Sequence, residues 1–194
     1  MKDRTEELTL TTWLSDKITS EKVQYYPANA SQPILLKEKD KNVNMTVEIV
    51  DVSETVTSIR LDKVQHLSSI RSGLGLTRVC DYLLVTQVRG KYHAFFVELK
   101  KTLNEDIPPR EQLRRSPPLL HYFLSVFRID TGLRLAESKV DVGYLRIGNE
   151  WNKHVDKQAV RFDPKKVFVI EEYKSIKIRK SVARAISFED LLKG

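Results

Sequence analysis

Apolar and polar positions alternate in different rhythms along this chain, and the rhythms predict its elements. Leu10, Leu14 and Ile18 return at helical spacing, with Trp13 widening the stripe, which predicts a first helix over Glu6–Thr19. A period of two then takes over. Pro33–Leu36, the turn-forming run Lys39-Asp40-Lys41-Asn42 and the β-branched stretch Met45–Val50 read as strand, turn and strand, with Val56–Leu61 as a third strand. Two stronger strands, Val79–Val88 and Tyr92–Lys100, flank Arg89-Gly90. Pro108-Pro109 and Pro117-Pro118 punctuate a helical region. Within it Ser116 is the expected N-cap of a helix over Pro117–Arg128, whose core stripe is Leu119, Leu120, Phe123, Leu124 and Phe127. Strands at Val140–Ile147, Val167–Ile170 and Ile176–Arg179 follow, and Ser187–Leu192 carries the capping-box pattern of a short closing helix. Asp62–Thr77 is polar, and its Gly73-Leu74-Gly75 reads as a loop rather than a phosphate cradle, because no helix follows it. The sum is one α/β (or α+β) domain over residues 1–194, a mixed central β-sheet flanked by helices. Gln32–Leu61 reads as an added hairpin and Val79–Ile147 as the core.

Composition narrows the picture. A chain of 194 residues is the size of one domain, and 41% apolar with 30% charged residues excludes wholesale disorder. Seven glycines and seven prolines exclude collagen-like character. Cys80, the sole cysteine, has no partner for an internal disulfide, which points to a reducing compartment. No apolar run approaches the ~18–20 residues needed to cross a bilayer, and Met1–Thr12 is too charged for a signal peptide. The expectation is a soluble, cytoplasmic protein. Thirty-three Lys+Arg against 26 Asp+Glu give a net charge of +7, which favours a polyanionic partner, nucleic acid before membrane.

The two strong strands carry the candidate chemistry. If Arg89-Gly90 is a two-residue hairpin loop, Val88 pairs with Lys91, and seven steps back along each strand bring Asp81 opposite Glu98. Opposed residues of an antiparallel pair share a face, and Lys100, two residues beyond Glu98, shares it too. Two like charges about 5 Å apart repel by roughly 3 kcal/mol at an effective dielectric near 20. A divalent cation offsets that repulsion, and carboxylates are the hard oxygen donors magnesium prefers. The competing reading has Asp81 cap the strand while Glu98 pairs with Lys100 or Arg78.

Asp81, a 16-residue gap and then Glu98-Leu99-Lys100 at the end of an apolar strand resemble the PD-(D/E)XK nuclease superfamily. Gln112-Leu113, a dozen residues on, matches a Gln-Leu pair common there, while Cys80 stands in place of the motif's proline. The resemblance spans Arg78–Leu113. It implies a restriction-endonuclease-like fold in which Asp81 and Glu98 ligate Mg²⁺ or Mn²⁺, with the Leu99 carbonyl as a further ligand. Lys100 would orient or help deprotonate the attacking water and stabilise charge on the phosphate, and Gln112 would support the site. A further acid from the first helix is implied, Glu7 before Glu6; a helix-start acid facing the dipole is the alternative for Glu7. The substrate implied is nucleic acid, DNA before RNA, in restriction, repair or defence, with a homodimer as a further expectation.

Other features are read both ways. Arg110, Arg114 and Arg115 with Lys101 form either a phosphate-gripping rim or a solvated charged face. Lys174–Arg184 either tracks a nucleic-acid backbone or protects an edge strand. Tyr25-Tyr26 and Trp151 either stack on bases or pack. His66, His93, His121 and His154 show no metal-ligand spacing, and Cys80 reads as packing. Two rivals stand beside the nuclease reading: a catalytically inactive nucleic-acid-binding or assembly module of the same fold, and an enzyme using Glu98 and Lys100 as acid and base on a small molecule.

Overall fold

A computed structural model describes residues 8–18, 22–40, 43–61, 79–103, 107–133, 135, 139–151 and 167–193. The chain runs α1 (Leu10–Lys17), β1 (Val23–Tyr26), β2 (Ile34–Asp40), β3 (Val43–Val50), β4 (Val56–Arg60), β5 (Tyr82–Val88) and β6 (Lys91–Leu103). It continues through α2 (Ile107–Arg115), α3 (Pro117–Thr131), β7 (Val140–Trp151), β8 (Val169–Tyr173), β9 (Ile176–Ser181), β10 (Ala185–Ser187) and α4 (Phe188–Leu192). The result is a mixed α/β fold. Seven strands form the main sheet in the order β1-β4-β5-β6-β7-β9-β8, and β10-β3-β2 form a second, smaller sheet.

Both faces of the main sheet are covered, and this explains why β5 and β6 read as near-continuous apolar runs. One face packs Leu83, Val85, Ala94 and Phe96 against Leu10, Trp13 and Leu14 of α1 and the apolar stripe of α3. The other face packs Leu84, Phe95, Val97 and Leu99 against Ile34, Leu36, Val47 and Ile49 of the small sheet and Phe188 and Leu191 of α4. β6 and β7 run parallel, so the chain must cross over between them, and α2 and α3 form that crossover.

Local chemistry sets the boundaries. The first helix begins later than expected within the described residues: Thr9 caps it by accepting from Thr12 N, while the Thr12 side chain returns a bond to Thr9 N. Glu6 and Glu7 lie outside the described residues. Within the stretch read as an added hairpin, only β2 and β3 leave the main sheet; Val56–Arg60 runs between β1 and β5 as an integral strand. Ser116 stands at the N-cap position of α3, ahead of Pro117, but its side chain does not cap the helix. Its backbone is already helical and its hydroxyl makes no capping bond, because it donates to Gln112 O at 2.7 Å and accepts from Cys80 N at 3.0 Å. All five expected core residues of α3 are buried. No helix among the described residues is long and apolar enough to cross a membrane.

Candidate active site

The hairpin between β5 and β6 has the expected register. Arg89 and Gly90 both take positive φ, 49° and 80°, the backbone of a two-residue primed turn, and Val88 pairs with Lys91. The ladder continues to Tyr82 opposite Val97, where β5 ends. One step further the same register puts Asp81 beside Glu98.

Asp81 takes over where the ladder stops: its Oδ2 accepts from Leu99 N at 2.6 Å. Its backbone is held from several directions. Leu61 N donates to Asp81 O at 2.8 Å, Ser116 Oγ accepts from Cys80 N, and Gln112 Nε2 donates to Val79 O at 3.2 Å. Gln112 rides on α2 and steadies the chain leading into Asp81. A strand residue's N–H and C=O leave from the same edge, so the Leu99 carbonyl faces the side on which β5 has ended.

Glu98 points to the helix-covered face, the face of Phe96, and is completely buried. Its Oε1 stands 2.8 Å from Lys100 Nζ, and its Oε2 accepts no hydrogen bond from a described residue. Burial raises the Glu98 pKa to about 8, the Asp81 charge pushes the same way, and Lys100 and Arg146 oppose them. Burial works to lower the Lys100 pKa, but Glu98, Asp81 and Glu38 more than compensate and raise it. Lys100 therefore holds its proton at neutral pH, as a donor and a charge rather than a base.

Two residues that sequence reasoning missed belong to this environment. Arg146 lies directly opposite Glu98 in β7 and is completely buried, and its charge favours the ionised form of Glu98. Glu38, near the end of β2, acts on Lys100, and its Oε2 is buried without a hydrogen bond.

The arginines of α2 answer to other partners. Arg110 pairs with Glu171 and lies over the Tyr173 ring, its Cζ 5.4 Å from the centroid. Arg114 and Arg115 both pair with Glu111, at 2.8 and 3.3 Å, and Lys174 and the Tyr173 hydroxyl converge on the same carboxylate. Hydrogen bonds from Arg114, Lys174 and Tyr173 hold the Glu111 carboxyl well below the usual carboxylate range. Each of these basic side chains has an acidic partner, although the four of them share only two carboxylates. Lys101 is exposed on β6. In the second basic stretch Arg179 is buried, its Nη1 donating to Leu191 O at 2.8 Å and Lys193 O at 3.1 Å at the end of α4.

Chemically, the site offers two neighbouring carboxylates, one with an unbonded buried oxygen, beside an ammonium. Oxygen donors of this kind suit a hard divalent cation. No group of three or more His, Cys, Asp or Glu side chains that could hold a metal ion occurs among the described residues. The structure brings together Asp81, Glu98 and the Leu99 carbonyl, and Glu7 lies outside the described residues. Comparison with protein-family models, curated proteins and solved structures finds no match to this chain.

Proposed function

We propose that this chain is a metal-dependent nuclease hydrolysing phosphodiester bonds in nucleic acid, DNA before RNA, with Asp81, Glu98 and Lys100 as its catalytic residues. The observation that carries the reading is the Glu98 carboxylate, fully buried beside Asp81 with one oxygen unbonded. Leaving a buried carboxylate oxygen without a hydrogen bond costs about 1–3 kcal/mol or more, a cost that a bound cation would offset. The E-x-K spacing and its resemblance to the PD-(D/E)XK superfamily support the same assignment.

Asp81, Glu98 and the Leu99 carbonyl would hold Mg²⁺ or Mn²⁺, which supplies charge neutralisation and a more acidic bound water. The protein's own contribution is positioning. Leu99 N–H fixes the Asp81 carboxylate, and Gln112, Ser116 and Leu61 fix its backbone. Lys100, held cationic by its acidic neighbours, orients a water by donation and stabilises negative charge growing on the phosphate oxygens.

The test is nicking of supercoiled DNA with Mg²⁺ or Mn²⁺ by wild type, Glu98→Gln and Lys100→Ala. Wild type nicks, and both variants lose the activity while keeping the circular dichroism of the folded protein. Cleavage that survives in both variants overturns the assignment. Metal-independent binding with no cleavage by wild type leaves the inactive nucleic-acid-binding module in its place.

A further inference from the structure

A cleft of about 300 Å³ opens on the face of the main sheet shared with the small sheet, beside Tyr82. Lys22, Lys37 and Arg60 line it, together with Tyr26, Ser58 and Tyr82, and no acid is among its described lining residues. These cations are positioned by backbone, not left to wander. The Tyr82 hydroxyl accepts from Lys37 N at 2.9 Å and donates to Lys37 O at 2.7 Å, filling the edge of β2 that β3 does not pair. Arg60 lies opposite Tyr82 in the ladder, with its guanidinium carbon 5.9 Å from the ring centroid. Arg60 N in turn donates to Lys22 O at 2.8 Å. One tyrosine and one ladder thus bring three positive side chains to a single concavity.

Three cations lining one concavity give it a positive field, and an anion is its complement. We propose that this cleft is a phosphate-binding site, taking the phosphate of a free nucleotide or one in a polynucleotide backbone. Phosphate fits better than a carboxylate because it presents several anionic oxygens to several donors at once, including a guanidinium fork. The volume is at the small end of ligand sites, enough for a phosphate and part of its sugar rather than a large ligand. The cleft lies at the same end of the sheet as the candidate active site but on the opposite face: Tyr82 follows Asp81, and Leu61, the residue after Arg60, donates to Asp81 O. In its polynucleotide form the inference rests on the nuclease reading; in its nucleotide form it stands alone.

The test is metal-free binding, with EDTA present, of adenosine 5′-monophosphate by calorimetry and of a short labelled oligodeoxythymidylate by anisotropy. Wild type is compared with Lys37→Gln, Arg60→Gln and the control Lys139→Gln, an exposed lysine just before β7. Lys37 is itself exposed, so its variant carries the test even where Arg60→Gln disturbs the fold. Both cleft variants are expected to weaken binding about tenfold. For the oligonucleotide they also flatten the salt dependence, by about 0.7 in the logarithmic slope for each phosphate that is no longer neutralised. Binding of the mononucleotide identifies a free nucleotide as the ligand, and binding of the oligonucleotide alone identifies a backbone phosphate. The proposal is overturned if wild type binds neither probe, or if Lys139→Gln weakens binding as much as Lys37→Gln. Failure of the nuclease reading is separately visible, as oligonucleotide binding that persists without cleavage when Mn²⁺ is restored.

Discussion

Glu98 and Glu111 are the same residue type in opposite circumstances. Glu111 gathers Arg114, Arg115, Lys174 and Tyr173 around its carboxylate, which holds its proton affinity well below the ordinary range. Glu98 is sealed in the sheet with Lys100 at one oxygen and no hydrogen bond at the other, and its pKa climbs to about 8. The first acid is finished: everything it needs is already in the protein. The second is incomplete, and a cation from outside the chain is the partner its surroundings suit. The α2 arginines share their charge with Glu111 and Glu171, so a phosphate there would compete with acids already in place.

The largest effect should fall on the incomplete acid. Glu98→Gln or Asp81→Asn is expected to reduce metal-dependent nicking by at least about 10³-fold, since several kcal/mol of transition-state stabilisation depend on the ion. Equal nicking by Glu111→Gln and wild type would show that the loss belongs to the Asp81–Glu98 pair and not to acids of the fold in general.

Removing the buried counter-charge comes next. Arg146→Met strips a cation from a fully buried position opposite Glu98 and is expected to cost about 3 kcal/mol of stability. It should also move the Glu98 titration, followed by carboxyl infrared absorption, above about 8, because Arg146 favours the ionised acid. An unchanged titration would place the counter-charge elsewhere.

The pH dependence of stability separates the two acids by sign. Glu98 binds its proton more tightly in the folded state, so its contribution is complete below its usual 4.5 and is lost as pH rises through about 8. Metal-free wild type should lose up to about 1.4 kcal/mol per pH unit across that window, a slope that Glu98→Gln removes. Glu111 runs the other way. Its contribution is complete above the usual carboxylate range and disappears only as pH falls through its lowered pKa. Glu111→Gln should therefore melt below wild type at neutral pH and converge with it in acid. Denaturant melts from pH 3 to pH 9 read both slopes.

The smallest effect is that of Gln112→Ala, which removes one hydrogen bond from the chain leading into Asp81. It should cost about 1 kcal/mol of stability and lower the nicking rate without changing Mn²⁺ stoichiometry.

Much of this site could be read along the chain because its signals are local. Arg89-Gly90 dictates a tight turn, the turn dictates the register, and strand alternation then sets Glu98 and Lys100 on one face. Long-range partners left no such trace. Arg146 meets Glu98 only through a parallel pairing made across the α2–α3 crossover, and nothing near either residue announces it. Ser116 reads as a helix cap from its neighbours, yet Cys80 claims its hydroxyl from 36 residues away. The α2 arginines look like a basic rim until β8 brings Glu171 to Arg110. β1 and β10, of four and three residues, are too short to show a period of their own. The fold class followed from alternation, whereas the division into two sheets depended on which strand β10 joined.

The most direct test is calorimetric titration of Mn²⁺ into wild type, Asp81→Asn and Glu98→Gln at pH 7, repeated in buffers of different ionisation heat. With Glu98 holding a proton in the metal-free protein, the expected result is one ion bound by wild type with release of close to one proton. Both variants should lose that binding. Mn²⁺ bound equally by all three proteins, or without any proton released, would contradict a cation shared by Asp81 and Glu98.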